Sequence, residues 1–291
     1  MNDMIGEPRV VPAGNGAAWW GEGWRLFRAS MGTWIGIMLI YLAISFGLGL
    51  IPYVGSVGHW LLTPVFMGGL MIGCAALRRG EPLRVAHLFE GFQGAHFVPL
   101  MIIGAVNIAI TLAIVALAGV SVLATMRLAD LANMSDPLNA FLGSARAITG
   151  TSLLATLVIL VIGAAFAMLN WFAPALVALR GTSAVEAMKL SFVSCLRNWV
   201  PFLIYGLIGI AIAVVAGIAF IGLAVALGAG AFMSATTAGS IGAMLGFFFI
   251  AMATMAVVAL VVGPVIFGTT YAGYEDTLAA GDESLVNPAY Q

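Results

Sequence analysis

Charge is what this sequence has least of. Of its 291 residues only 11 are Lys or Arg and 12 are Asp or Glu, so charged residues make up 8% of the chain, against about 25% in soluble domains. A water-soluble fold of this length would have too few charges to cover its surface, and that class is excluded. In lipid the same scarcity is required, because each charge at the centre of a spanning helix costs about 2.5–3.5 kcal/mol. The formal net charge of -1 offers no basic face, which excludes nucleic acid as a partner. Cysteine is nearly absent as well. Cys74 and Cys195 fit no metal or redox spacing and read as small buried apolar residues. Residues 1–30 hold Asp3, Glu7 and Glu22 but no apolar core before a cleavage site. No cleavable signal peptide is expected, and the first span is expected to act as the targeting segment.

What the chain does have is long uncharged runs. Between Arg28 and Arg78 there is no Asp, Glu, Lys or Arg. As one helix that run would be more than twice as long as the roughly 30 Å hydrocarbon core. It must fold back, and Ile51-Pro52-Tyr53-Val54-Gly55-Ser56-Val57-Gly58 carries the turn residues. Phe97 to Thr125 and Thr151 to Leu179 are one span each. The run from Arg197 to Glu275 again holds two spans, with a turn expected from Gly228-Ala229-Gly230 to Ser240. Six spans result, at about 33–51, 59–77, 97–125, 151–179, 200–227 and 242–271. Residues 1–14 are read as an N-terminal tail, 15–275 as the six-span transmembrane domain and 276–291 as a C-terminal tail. Arg9, Arg25, Arg28, Arg78, Arg79, Arg84, Arg180, Lys189 and Arg197 fall on one side, and only Arg127 and Arg146 on the other. The positive-inside rule then puts both termini in the cytoplasm. Trp34, Trp60 and Trp199 lie near span ends, as an interfacial belt requires.

Each outward-going span follows a short amphipathic stretch. The stripes are Trp20, Trp24, Phe27 and Met31; Val85, Leu88, Phe89 and Phe92; and Val185, Met188, Phe192 and Cys195. Such stripes suit helices lying in the interface, and Trp20, Trp24, Phe27, Phe89, Phe92 and Trp199 are the expected interfacial residues. The entries Phe97-Val98-Pro99-Leu100 and Trp199-Val200-Pro201-Phe202 match, and Pro64, Pro174 and Pro264 mark the returning spans. The fold class is therefore all-α: a polytopic integral membrane protein of about six transmembrane helices with interfacial amphipathic helices and a threefold helical-hairpin repeat.

Glu22-Gly23-Trp24 with Leu26-Phe27, Leu88-Phe89-Glu90-Gly91-Phe92 and Glu186-Ala187-Met188-Lys189-Leu190-Ser191 give the chain a likeness. Over residues 15–275 it resembles an uncharacterised family of six-span proteobacterial inner-membrane proteins. It is more distantly similar to the membrane domain fused to some glycerophosphodiester phosphodiesterases. The resemblance implies a bacterial inner membrane. It carries over no functional residues, and the chain has no room for a phosphodiesterase domain.

Chemistry is sparse. No Asp, Glu, Lys or Arg lies inside a span, which argues against ion-coupled transport. Asn107 and Asn170 do lie inside spans, as packing hydrogen bonds or as the polar lining of a cavity. Gly32–Gly36, Gly69–Gly73 and Gly242–Gly246 have the spacing that lets helices approach closely, within this chain or between copies. Ser56 and His59 are three apart and would form a dyad only on a helix, whereas Gly55 and Gly58 favour a turn. His87 and His96 lack further ligands at metal spacing and read as solvated or headgroup-facing. Gly14-Asn15-Gly16 has Trp19 where a dinucleotide loop needs glycine, and Asn133-Met134-Ser135 is a formal glycosylation triplet. No catalytic residue, metal or cofactor is expected. The leading reading is a non-enzymatic membrane scaffold or accessory protein, with membrane lipids and a membrane-protein partner or a homo-oligomer as partners. The alternatives are a passive channel or exporter for a neutral or amphipathic small molecule or lipid, and an intramembrane enzyme using Ser56 and His59.

Overall fold

The structure, a computed structural model, describes residues 8–125, 150–232 and 237–279. Arg127, Arg146 and the Asn133-Met134-Ser135 triplet lie outside them. The described chain is helical, without strands, and six of its helices are long and apolar enough to cross a membrane.

A first helix, α1 (Asn15–Ala29), leads into the hairpin α2 (Met31–Gly49) and α3 (Val54–Arg78). A 3-10 segment (Val85–Phe92) and a short turn (Gly94–His96) precede α4 (Phe97–Thr125), which pairs with α5 (Gly150–Asn170). The returning span then breaks at Trp171 and Phe172 and resumes as α6 (Ala173–Arg180). Next come α7 (Ala184–Arg197), the last hairpin α8 (Trp199–Phe232) and α9 (Thr237–Tyr274), and a wide π-turn (Glu275–Ala279). Both expected hairpin turns are shorter than the sequence suggests. Residues 54–58 already belong to α3, and Gly228-Ala229-Gly230 continues α8. Glycine is tolerated inside membrane helices, so it is a weaker stop signal there than in water.

The three units share one order: a short element, a span out, a span back. Each short element packs against the hairpin before it. The 3-10 segment lies on α3 and α2, α7 lies on α5 and α4, and α1 closes the cycle by lying on α9 and α8. Close backbone approach makes these contacts. A Cβ on Gly91 would stand 2.0 Å from the Val65 carbonyl oxygen, and one on Gly69 would stand 2.3 Å from that of His87. Gly23 and Gly268 meet in the same way, with a Gly268 Cβ falling 2.8 Å from the Gly23 Cα. Small residues permit such crossings, and van der Waals packing then holds them.

α3 is the central helix. Leu70, Met71, Val65 and Cys74 on it are almost fully buried with Trp34, Ile37, Leu88, Leu100, Ile103, Phe172 and Leu176. Trp34 is therefore core and not belt: its indole N–H donates to the Leu26 carbonyl at 3.1 Å. Trp60 and Trp199 are 45% and 60% exposed, as an outward position near a span end requires.

Both tail boundaries move outward. Residues 8–14 are fastened to the bundle, since the Arg9 amide donates to Thr277 O at 2.9 Å and the Val11 amide to Asn198 Oδ1 at 2.9 Å. Thr277, Leu278 and Ala279 are buried, so packing continues beyond 275 to the last of the described residues.

Candidate functional site

The charged side chains gather where the short elements meet the span ends. Arg78, at the end of α3, pairs with Glu275 at 3.0 Å and with Glu22 of α1 at 3.3 Å, and Glu22 also binds Arg25. Asp276 Oδ2 accepts from the Trp19 indole at 2.7 Å and from Asn15 at 2.9 Å. Arg180 donates to the Leu278 carbonyl and stacks over Tyr274. Asn198 is 1% exposed; its amide donates to Arg9 O at 2.8 Å and to Ser194 O at 2.9 Å. Partly exposed ion pairs stabilise little individually, about 0–1 kcal/mol. Hydrogen bonds at buried groups matter more, because breaking one strands its partner.

His87 sits inside this end and not in solvent. Its Nδ1 accepts from the Arg84 amide at 3.0 Å, and its Nε2 lies 3.6 Å from Glu90 Oε1. Burial holds its pKa below the ordinary value, with Glu90 opposing that shift. The correction follows from Gly91 and Gly69: their close contact draws the whole 3-10 segment against α3, and the imidazole goes with it. Nearby, the Arg79 guanidinium bonded at 2.7 Å holds the Glu81 carboxyl below its usual range.

The break between α5 and α6 has a specific cause. Ser191 Oγ donates to Met168 O at 2.6 Å and accepts from the Phe172 amide at 2.9 Å. The hydroxyl thus stands where the 172-to-168 helical bond would have been, a recognised way of bending a helix. Cys195, one turn on, also points its thiol at Met168 O, at 3.8 Å. Burial pushes that thiol's pKa up to about 12, so it stays protonated and unreactive.

Beside this break the cycle of helices has a gap. The seam between α3 and α4 is closed, with a Gly104 Cβ falling 2.5 Å from Leu61 O, and α9 packs on α2. The corresponding helices α5 and α8 do not pack along one another among the described residues. Between them is a cleft of about 200 Å³ lined by Ala164, Ala167, Met168, Trp171, Cys195 and Phe202. Two of the lining residues are aromatic, and Trp171 meets Phe202 edge-on at 5.6 Å. Beyond them, Trp19 meets Phe202 at 5.3 Å and Trp20 stacks on Tyr205 at 5.0 Å. Tyr205 and Thr269 share a hydroxyl hydrogen bond at 3.0 Å, tying α8 to α9.

The residues singled out from sequence fall differently. Asn107 and Asn170 do not line the cleft. Asn170 donates back to Phe166 O at 2.9 Å, and the Oδ1 atoms of both amides are buried without a hydrogen-bond partner. Gly69 and Gly73 make the close contact expected of them, Gly73 against Leu83 and His87. Gly32, Gly36 and Gly246 face open space, because α2 packs through Trp34, Ile37 and Met38 on another face. The surroundings of Gly242 lie outside the described residues. On α1 the packed face is Gly16, Trp19, Gly23, Leu26 and Phe27. Phe27 is therefore core, Trp20 is half-buried with its N–H bonded to Tyr205 O, and Trp24 and Met31 point outward. Trp24 and Met31 thus keep the outward position that the interfacial stripe requires, while Gly16 and Gly23 lie on the surface that packs. Phe89 and Trp199 are exposed, while Phe92 packs on Phe66 at 5.2 Å. Ser56 and His59 do lie on one helix, α3, but no hydrogen bond joins them among the described contacts; His59 neighbours Tyr41. Asp276, Asn198 and Ser191 were not anticipated. Asn198 had one legible sign, a polar residue immediately before the Trp199-Val200-Pro201 entry.

Six apolar helices of spanning length, joined through this one charged end, define a multi-pass membrane protein. Comparison with protein-family models, with curated proteins and with solved structures gives no match to the chain.

Proposed function

We propose that the chain is a non-enzymatic scaffold or accessory protein of the bacterial inner membrane, with both termini cytoplasmic. The observation that supports this best is the outward surface of the three short elements. Arg25, Arg28, Arg84 and Lys189 are exposed there, among the exposed apolar residues Trp24, Val85, Phe89 and Val185. Basic residues beside outward aromatic and apolar ones suit an anionic headgroup layer or a partner's membrane surface. The positive-inside distribution supports the orientation, and the resemblance to six-span inner-membrane proteins agrees with the compartment.

The full chain, purified from its native membrane in a mild amphiphile, is expected to bring a stoichiometric protein partner detectable by mass spectrometry. Arg25→Glu together with Arg28→Glu should weaken that association. The reading fails if no protein accompanies the chain and reconstituted vesicles instead gain a flux of neutral solute. A passive path for an amphipathic molecule or lipid keeps one supporting observation, the apolar cleft between α5 and α8.

A further inference from the structure

We propose that the cleft between α5 and α8 binds one acyl chain of a membrane phospholipid. The threefold order isolates the feature. Among the described residues, two of the three inter-hairpin seams are closed by helix packing and the third is not, so the opening is a departure from the protein's own pattern. Its position explains why it persists. Ser191 interrupts the returning span at Met168 and Phe172, next to the lining residues Met168 and Trp171.

Size and chemistry select the occupant. The lining residues Ala164, Ala167, Met168, Trp171, Cys195 and Phe202 are all apolar, and the one ionisable group among them is a thiol held in its neutral form by burial. A charged or strongly polar ligand would lose its hydration there without a partner. The cleft holds about 200 Å³, and a hydrocarbon chain one carbon wide fits inside it. The occupant must also be present at that depth, and lipid is what surrounds a multi-pass protein there. Trp171 and Phe202 supply flat walls and meet edge-on at 5.6 Å. Leu160 and Val161, one turn before Ala164 on α5, are exposed and continue the apolar track along that span.

This site is independent of whether the protein serves as a scaffold or a path, so its failure would leave the functional reading standing. The test uses the full chain in vesicles of phosphatidylethanolamine and phosphatidylglycerol, with a trace of phosphatidylglycerol carrying a diazirine in one acyl chain. After illumination, lipid adducts are expected to concentrate on Ala164, Ala167, Met168, Trp171 and Phe202, above the level on the exposed Val115 and Val215. Ala167→Trp, which fills the cleft, should lower the cleft adducts by roughly tenfold, equivalent to about 1.4 kcal/mol, and leave those on Val115 and Val215 unchanged. Ala164→Val is the milder companion and should lower them less, with unchanged elution in detergent reporting the fold. Adducts spread evenly over all exposed apolar residues would overturn the proposal, as would cleft adducts indifferent to both substitutions. A disulfide between two copies through Ala164→Cys, forming in place of lipid labelling, would overturn it in favour of a second copy.

Discussion

α3 and α8 are both uncharged helices of spanning length, yet 61% of the α3 span is buried inside the protein and only 6% of the α8 span. The more apolar helix is the less buried one, with a mean hydropathy of 2.6 for α8 and 1.8 for α3. In water this would be inverted. In lipid, apolarity does not drive helices together, because the surrounding chains are as apolar as leucine. Association then depends on close backbone approach and on hydrogen bonds. α3 has both resources, through Gly69, Gly73 and the elements that cross them, and α8 has them only near its start. The contrast extends to the ends of the molecule. At the charged end, polar side chains and glycine crossings lock helices to one another; toward the far end, Leu112, Val115, Val120, Ile218 and Ile221 point outward.

The largest expected effect breaks the packed end directly. Gly91→Ala would set a Cβ 2.0 Å from a backbone oxygen, which no rotamer relieves. Stability in detergent should fall by about 3 kcal/mol or more. The same exchange at Gly163, which has nothing within 4 Å, should leave stability unchanged or raise it by up to about 1 kcal/mol. Equal losses at the two sites in thermal unfolding would erase the distinction between the ends. Next in size, Asn198→Ala strands Val11 N–H, Arg9 O and one bond to Ser194 O. A loss of about 2 kcal/mol is expected, together with faster proteolysis before residue 15.

The pH response should also belong to the packed end. His87 is buried with its pKa below 6.5 in the folded protein, where Glu90 and Glu81 favour its charge and Arg84 and Arg79 oppose it. The unfolded chain therefore takes up the proton first. The stabilising contribution is fully present above about pH 6.5 and is lost as pH falls toward the folded value, with a slope of at most about 1.4 kcal/mol per pH unit. Thermal unfolding between pH 7 and 5 should show this slope, and His87→Asn, which retains an acceptor for the Arg84 amide, should abolish it. The smallest effect lies at the far end. Tyr53 has φ 59° in a tight turn in which the Val54 amide donates to Pro52 O at 2.6 Å. That γ-turn geometry is strained for a side-chain-bearing residue. Tyr53→Gly should raise stability by about 1 kcal/mol, and a fall would mean that the Tyr53 ring, 88% exposed, makes a contact in the membrane.

The spans were legible because uncharged runs such as Arg28 to Arg78 need only length and a turn to be read. The surfaces through which they pack were not. Gly16 and Gly23 set the packed face of α1, but a glycine contributes no side chain to an apolar stripe, so the stripe through Trp20, Trp24 and Phe27 gave no sign of it. The Gly32–Gly36 pair shows the converse: spacing announces a surface that can pack, while Trp34 and Ile37 determine which one does. Asn198, Ser191 and Asp276 act through partners far away in the chain, so nothing beside them in sequence marks the role. The cleft is the least legible feature, because it is the lack of a contact between two helices and no residue encodes that alone.

The placement of α1 has a consequence for how the protein is made. It leaves the ribosome before the other described helices, yet the surface it covers belongs to α8 and α9, which follow all of them in the chain. Chains are synthesised from the N-terminus at about 5–20 residues per second, so α1 waits roughly 10–50 s with its glycine-lined face unmatched. Only a chain that has finished its third hairpin can close the circle, and any product that stops short is left with an open N-terminal segment, a built-in mark of incompleteness.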